Sequence, residues 1–180
     1  SANALNTKAV NLKAALLRRM GRFEEAGQLA ASVLATDPLD FLAGNELYLV
    51  RSKMGTVSEA DKELNTLNMK MRGAVQSYLE TAVDYGNWGL WADAIDLLSR
   101  LEDPEEPGIK VYPMVYYYLG YFWEMQRDGE RSAKYYRLGS KMPADYCFPF
   151  RLESMEVLRR AIQNDPRDAR ARYYLGNLLY

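Results

Sequence analysis

The chain has 180 residues, 48% of them hydrophobic and 12% aromatic, and its 23 Lys plus Arg against 24 Asp plus Glu leave a net charge of −1. That composition is too apolar for a disordered tail, and its charge balance gives no electrostatic footprint for nucleic acid or anionic lipid. The absence of histidine excludes Ser/His/Asp and Cys/His catalysis and every His-based zinc site, and the single Cys147 excludes an intrachain disulfide or a thiolate cluster.

From the N-terminus, Val10, Ala14 and Leu17 share one helical face. Gly21 then stops the helix, because a left-handed backbone costs glycine little. A second helix carries Ala26, Leu29, Ala30, Val33 and Leu34 and ends at Asp37-Pro38. The next glycines in register, Gly55 and Gly89, each follow at an interval of 34 residues, and so do the alanines Ala26, Ala60 and Ala94. Two markers holding one period over three stretches define a repeat of paired helices. The small alanines let the two helices of a pair approach closely. Tyr48 stands where the second unit needs a small residue, so a looser contact is expected there. In the third unit Tyr78, Ala82 and Tyr85 precede Gly89, and Ala94, Leu97, Leu98 and Leu101 follow it.

The loop from Glu102 to Gly108 holds two prolines and four acids and cannot continue a helix. The fourth unit begins near Pro113, within the longest apolar stretch, Val111 to Trp123. At about 13 residues with a proline inside, that stretch falls short of the roughly 20 a membrane span requires. The interval to a last unit near Ala169 exceeds one period by about 22 residues. The surplus contains the proline-bracketed segment 143–150, expected to run extended with its aromatics buried. A helix over 151–164 follows, with Leu152, Met155, Leu158 and Ile162 on one face, reading as the second helix of a unit whose first is missing or replaced. The units therefore fall at about 7–40, 41–74, 75–108 and 113–142, with 143–166 irregular and 167–180 a partial unit, in one helical domain.

Here the sequence resembles the tetratricopeptide repeat, whose pattern is W-x2-L-G-x2-Y, then A-x3-F, then P, over 34 residues. Tyr116-x2-Leu119-Gly120-x2-Trp123 matches the first part and Leu175-Gly176-x2-Leu179 its centre. Ala60-x3-Leu64 and Ala94-x3-Leu98 match the second element, and Pro38 and Pro166 the closing proline. The resemblance implies an all-α, TPR-like right-handed superhelix of antiparallel helical hairpins. The last 70 or so residues are similar to the repeat regions of large bacterial proteins that carry an upstream domain of unknown function. That implies a piece of a bigger, sugar-enzyme-like protein. The apolar end at Leu175, Leu178 and Leu179 likewise reads as a fragment or as a docking and self-association surface.

Carried over from the repeat family, the groove-facing positions include Asn11, Asn45, Leu49, Leu79, Tyr117, Tyr121, Glu124 and Tyr173. Some members of the family grip a carboxylate with paired Lys and Asn in the groove; the fifth and ninth positions of unit one are Asn11 and Ala15, so that clamp is absent and a chaperone-tail adaptor is disfavoured. The tyrosines offer large contact area with a polar tip. Glu153 and Glu156, three apart on one helix face, read as a surface pair rather than a catalytic one. Cys147 reads as a buried, inert thiol. No phosphate loop or metal spacing occurs, and no cofactor is expected. The expected function is a non-catalytic scaffold for a protein or another domain of the same chain. The alternative is an accessory domain of a carbohydrate-active enzyme with an aromatic groove.

Overall fold

The computed structural model describes residues 6–102, 113–144 and 147–180. Among them lie ten α-helices and no strand: α1 Thr7–Arg19, α2 Phe23–Thr36, α3 Phe41–Met54, α4 Val57–Met71, α5 Val75–Asn87, α6 Trp91–Ser99, α7 Pro113–Met125, α8 Gly129–Lys141, α9 Glu153–Asn164 and α10 Ala169–Leu179. The chain is all-α. It forms two compact units, one up to Ala74 and one from Val75 onward. Of the expected acidic loop only Glu102 falls within the described residues.

Tight turns fold consecutive helices back on each other. After α1, the Arg22 amide donates to Leu17 O (2.9 Å); after α5, Leu90 donates to Tyr85 O (2.9 Å); after α7, Asp128 donates to Trp123 O (3.0 Å). This six-to-one closure needs a left-handed residue just past the helix. Gly21 (φ 76°), Gly89 (φ 73°) and, without a glycine, Arg127 (φ 62°) supply it. Gly55 departs from the sequence expectation, with φ −93° and ψ −175°. There Thr56 caps α4 in a reciprocal box with Glu59 instead, so the turn needs no left-handed residue.

The first unit packs small side chains. Ala14, Ala26, Ala30 and Ala43 are fully buried, and Leu17 and Val50 close over Ala26 with Phe23 and Leu29 at the margin. Tyr48 does not loosen α3 from α4. Gly44 lets Leu67 press in so closely that a Cβ there would lie 3.0 Å from Leu67 Cδ1. Two polar links tie α1 to α3. Asn11 Nδ2 donates to both Asp40 oxygens (2.9 and 3.0 Å), and Arg18 donates to both Glu46 oxygens (2.7 and 3.0 Å). Glu46 is fully buried and pairs there with the Arg18 guanidinium.

The second unit packs rings against glycines. Tyr136 lies on Gly120 so tightly that a Cβ would come within 2.5 Å of its ring, and Phe122 lies on Gly86 (2.8 Å). Helices α9 and α10 are joined by Asp165-Pro166-Arg167-Asp168, built like the α2–α3 connection Asp37-Pro38-Leu39-Asp40. In each, the first Asp side chain accepts from the residue two ahead (2.9 and 3.0 Å), and the second Asp caps the following helix. The second aspartate is also held alike. Asn11 reaches Asp40, and Tyr117 Oη donates to Asp168 (3.0 and 2.9 Å). So α10 follows α9 as α3 follows α2, while α8 and α9 both pack on α7.

Two expectations for the surplus segment need correction. Residues 147–150 are non-helical, but Phe148 and Phe150 are 69% and 67% exposed, and only Cys147 is buried. Helix α9 turns Ser154, Val157, Leu158 and Ala161 inward, leaving Leu152 outside and Met155 and Ile162 half-buried. The small Ser154 meets Tyr118 of α7, while Ala161 lines a pocket with Ala133, Tyr136 and Arg137 of α8.

Candidate functional site

The second unit presents the sites with most chemistry. Helix α7 runs Met114-Val115-Tyr116-Tyr117-Tyr118-Leu119-Gly120-Tyr121-Phe122, so rings fall on every side of it. Tyr117 turns into the core, edge-on to Tyr174 at 6.2 Å. Tyr118 meets Ser154 Oγ of α9 at 2.9 Å in a buried hydrogen bond. Burial pushes the Tyr118 phenol up to about 12. On the adjoining face Tyr121 and Phe122 meet Trp91 of α6. The ring centroids are 6.2 Å (Trp91–Tyr121), 6.1 Å (Trp91–Phe122) and 5.9 Å (Tyr121–Phe122).

Those three rings wall a cavity of about 180 Å³, completed by Val83, Gly86 and Asn87 of α5 and by Glu153, Glu156 and Val157 of α9. Desolvation raises the Tyr121 phenol above its ordinary range, and the nearby Glu156 carboxylate adds to the shift. Glu124 stands beside it, accepting from Tyr136 Oη (2.9 Å) and paired with Arg160 (3.2 Å). Arg160 also binds Glu156 (2.8 Å). A neighbouring crevice of about 20 Å³ lies between α5, α7 and the segment leading into α9. Gln76, Leu79, Val83 and Met114 face Phe148, Pro149, Phe150 and Arg151 across it, and Arg151 pairs with Glu80 of α5 (3.1 Å). The chain's own insert therefore lies against Gln76, Leu79, Val83 and Met114, four of the positions that the repeat pattern assigns to the groove.

The expected site residues divide accordingly. Asn11 and Asn45 are buried in the first unit, and Asn11 is committed to Asp40. Leu79 is buried under the insert, and Tyr117 is wholly enclosed on Asp168. All four side chains are buried within their own units. Leu49, Tyr121 and Glu124 are half-buried, and Tyr173 is 51% exposed. Only Tyr121 and Glu124 come together. Sequence reasoning missed Trp91 and Phe122, whose signal was aromatic residues flanking Gly86 and Gly120. It did place Glu153 and Glu156 on one face, and both line the cavity and are exposed.

Cys147 is buried, and desolvation pushes its thiol up. Among the described residues no group of three or more acids and cysteines converges to hold a metal, and no helix is long and apolar enough to cross a membrane.

No family model matches the chain, and no curated protein matches it. Among solved structures it is similar to MamA, at 17% identity over 92% of each chain with a TM-score of 0.40. It is also similar to pilF of Pseudomonas aeruginosa, at 13% identity over 96% of this chain and 75% of that one (TM-score 0.39). A third is the nearly identical TPR-like repeats of a Podosopora anserina kinesin light chain, at 16% identity over 95% and 92% (TM-score 0.34). The description of this chain as helical hairpins rests on its own turns and caps.

Proposed function

We propose that the chain is a non-catalytic, tetratricopeptide-like scaffold that binds a protein or another domain of its own polypeptide through the second unit. The observation that carries this is the concentration of accessible aromatic surface there. Phe148 and Phe150 stand out on a non-helical segment, and Trp91 and Tyr121 wall an open cavity close by. Aromatic anchors beside a pocket are the features that dominate protein interfaces, and contiguous exposed apolar groups mark interaction sites. The 34-residue hairpin period supports the repeat-scaffold reading.

The test is site-directed photo-cross-linking. A photoreactive phenylalanine analogue replaces Phe150 in one variant and exposed Met69 of the first unit in another. The scaffold reading expects a discrete polypeptide adduct from position 150, lost when Phe148 is Ser, and none from position 69. Equal or absent adducts at the two positions would overturn it.

The carbohydrate-accessory reading rests on the same walls, since a sugar ring also stacks on Trp and Tyr. It predicts heat on titration with oligosaccharides alone. Self-association through α10 is favoured by its exposed Tyr173 and Leu179. It predicts a dimer by light scattering that is lost in a Leu178→Gln/Leu179→Gln variant.

A further inference from the structure

We infer that the cavity walled by Trp91, Tyr121 and Phe122 receives the cationic side chain, an arginine or a lysine, of a partner polypeptide. The inference rests on the reading of the second unit as a protein-binding surface and specifies what that surface recognises. The cavity's size, about 180 Å³, lies below the roughly 300 Å³ at which small-molecule sites begin. It is the scale of one inserted side chain.

Its walls and its rim agree on the charge of the occupant. Trp91 stands nearly perpendicular to Tyr121 (88°) and Tyr121 is tilted 57° to Phe122, and all three rings line the cavity. Aromatic faces carry negative quadrupole density and attract a guanidinium or ammonium, most strongly where water is excluded. Glu153 and Glu156 line the cavity, and Glu124 stands beside Tyr121. One guanidinium, Arg160, opposes these three carboxylates, and it is divided between Glu124 and Glu156. The other nearby guanidinium, Arg151, is held by Glu80. Glu153 makes no ion pair among the described residues. It sits in the first turn of α9, where the helix dipole favours its charge. A purely apolar side chain would gain nothing from that carboxylate, and an anion would be repelled by all three. A cation satisfies walls and rim together.

The test uses the whole chain and the Trp91 indole N–H resonance as reporter. Four probes are titrated: acetyl-Gly-Arg-Gly-amide, its citrulline isostere, acetyl-Gly-Leu-Gly-amide and maltotriose. The citrulline isostere keeps the shape of arginine and removes the charge. The expected result is saturable binding of the arginine peptide, tighter than the citrulline peptide by about tenfold or more. This preference is weakened by salt and lost in Glu153→Lys, whose exposed position leaves the fold intact by circular dichroism. Equal binding of the arginine, citrulline and leucine peptides would overturn the cation inference while leaving a protein-binding surface standing. A response to maltotriose alone would overturn both. Silence from every probe would overturn the cation inference, and the cross-links from position 150 then decide the scaffold reading by themselves.

Discussion

Tyr117 shows how a single residue can leave a surface for a structural duty. Its hydroxyl donates to both oxygens of Asp168, which also caps α10 through the Ala171 amide (2.9 Å). Removing that hydroxyl leaves a buried carboxylate short of a donor, which costs about 1–3 kcal/mol. Tyr117→Phe is therefore expected to lower the urea midpoint by that equivalent with its slope unchanged. The turn residues give a second test. A Cβ at Gly89 meets nothing, so Gly89→Ala pays only for the left-handed backbone, about 1 kcal/mol. Arg127 bears the same conformation with a side chain, so Arg127→Gly should raise the midpoint by up to about 1 kcal/mol. Opposite signs at two equivalent turns are the expected result in equilibrium denaturation.

At the scale of elements, the first unit relies on Arg18 and Glu46 to join α1 to α3. Arg18→Met removes two charge-assisted hydrogen bonds from a fully buried carboxylate and should cost about 3 kcal/mol. Adding Glu46→Met should recover much of that loss, which a double-mutant cycle measures. The hairpins themselves were legible in the sequence. The helix starts near 7, 41 and 75 followed from the glycine and alanine period, 113 from Pro113, and 169 from the match of Leu175-Gly176-x2-Leu179 to the repeat motif, because period and turn chemistry are local. The insert was not legible in the same way. Phe148 and Phe150 read as buried because they are aromatic and bracketed by prolines, yet the small Ser154 of α9 took the place against Tyr118 of α7. Which helix covers a given face is a long-range fact. It also hid the burial of Leu79 and Tyr117 and the partnership of Trp91 with Tyr121. The likeness of Asp37-Pro38-Leu39-Asp40 to Asp165-Pro166-Arg167-Asp168 was a readable signal that α9 leads into α10 as α2 leads into α3.

For the whole molecule, buried phenols link stability to alkaline pH. Burial pushes Tyr118 up to about 12, and burial with the Glu102 hydrogen bond does the same for Tyr135. Tyr117, Tyr136 and Tyr174 are also raised, first by desolvation. A folded pKa above the unfolded value of about 10 means the unfolded chain loses its phenolic protons first. That stabilisation is complete below pH 10 and is lost as pH rises through about 12. Absorbance of tyrosinate should show these five buried phenols ionising only together with loss of helical circular dichroism. Full titration with the helices intact would contradict the buried assignments.

The functional reading depends on α9 and its lead-in packing against α5 and α7, with the aromatic cavity open beside them. Hydrogen exchange of the amides over 153–164 tests this most directly. The account predicts protection of α9 comparable to that of α7, reduced selectively when Ser154→Ala removes the bond to Tyr118. Exchange of α9 within seconds in the unaltered chain, with α7 still protected, would mean an open groove and would contradict it.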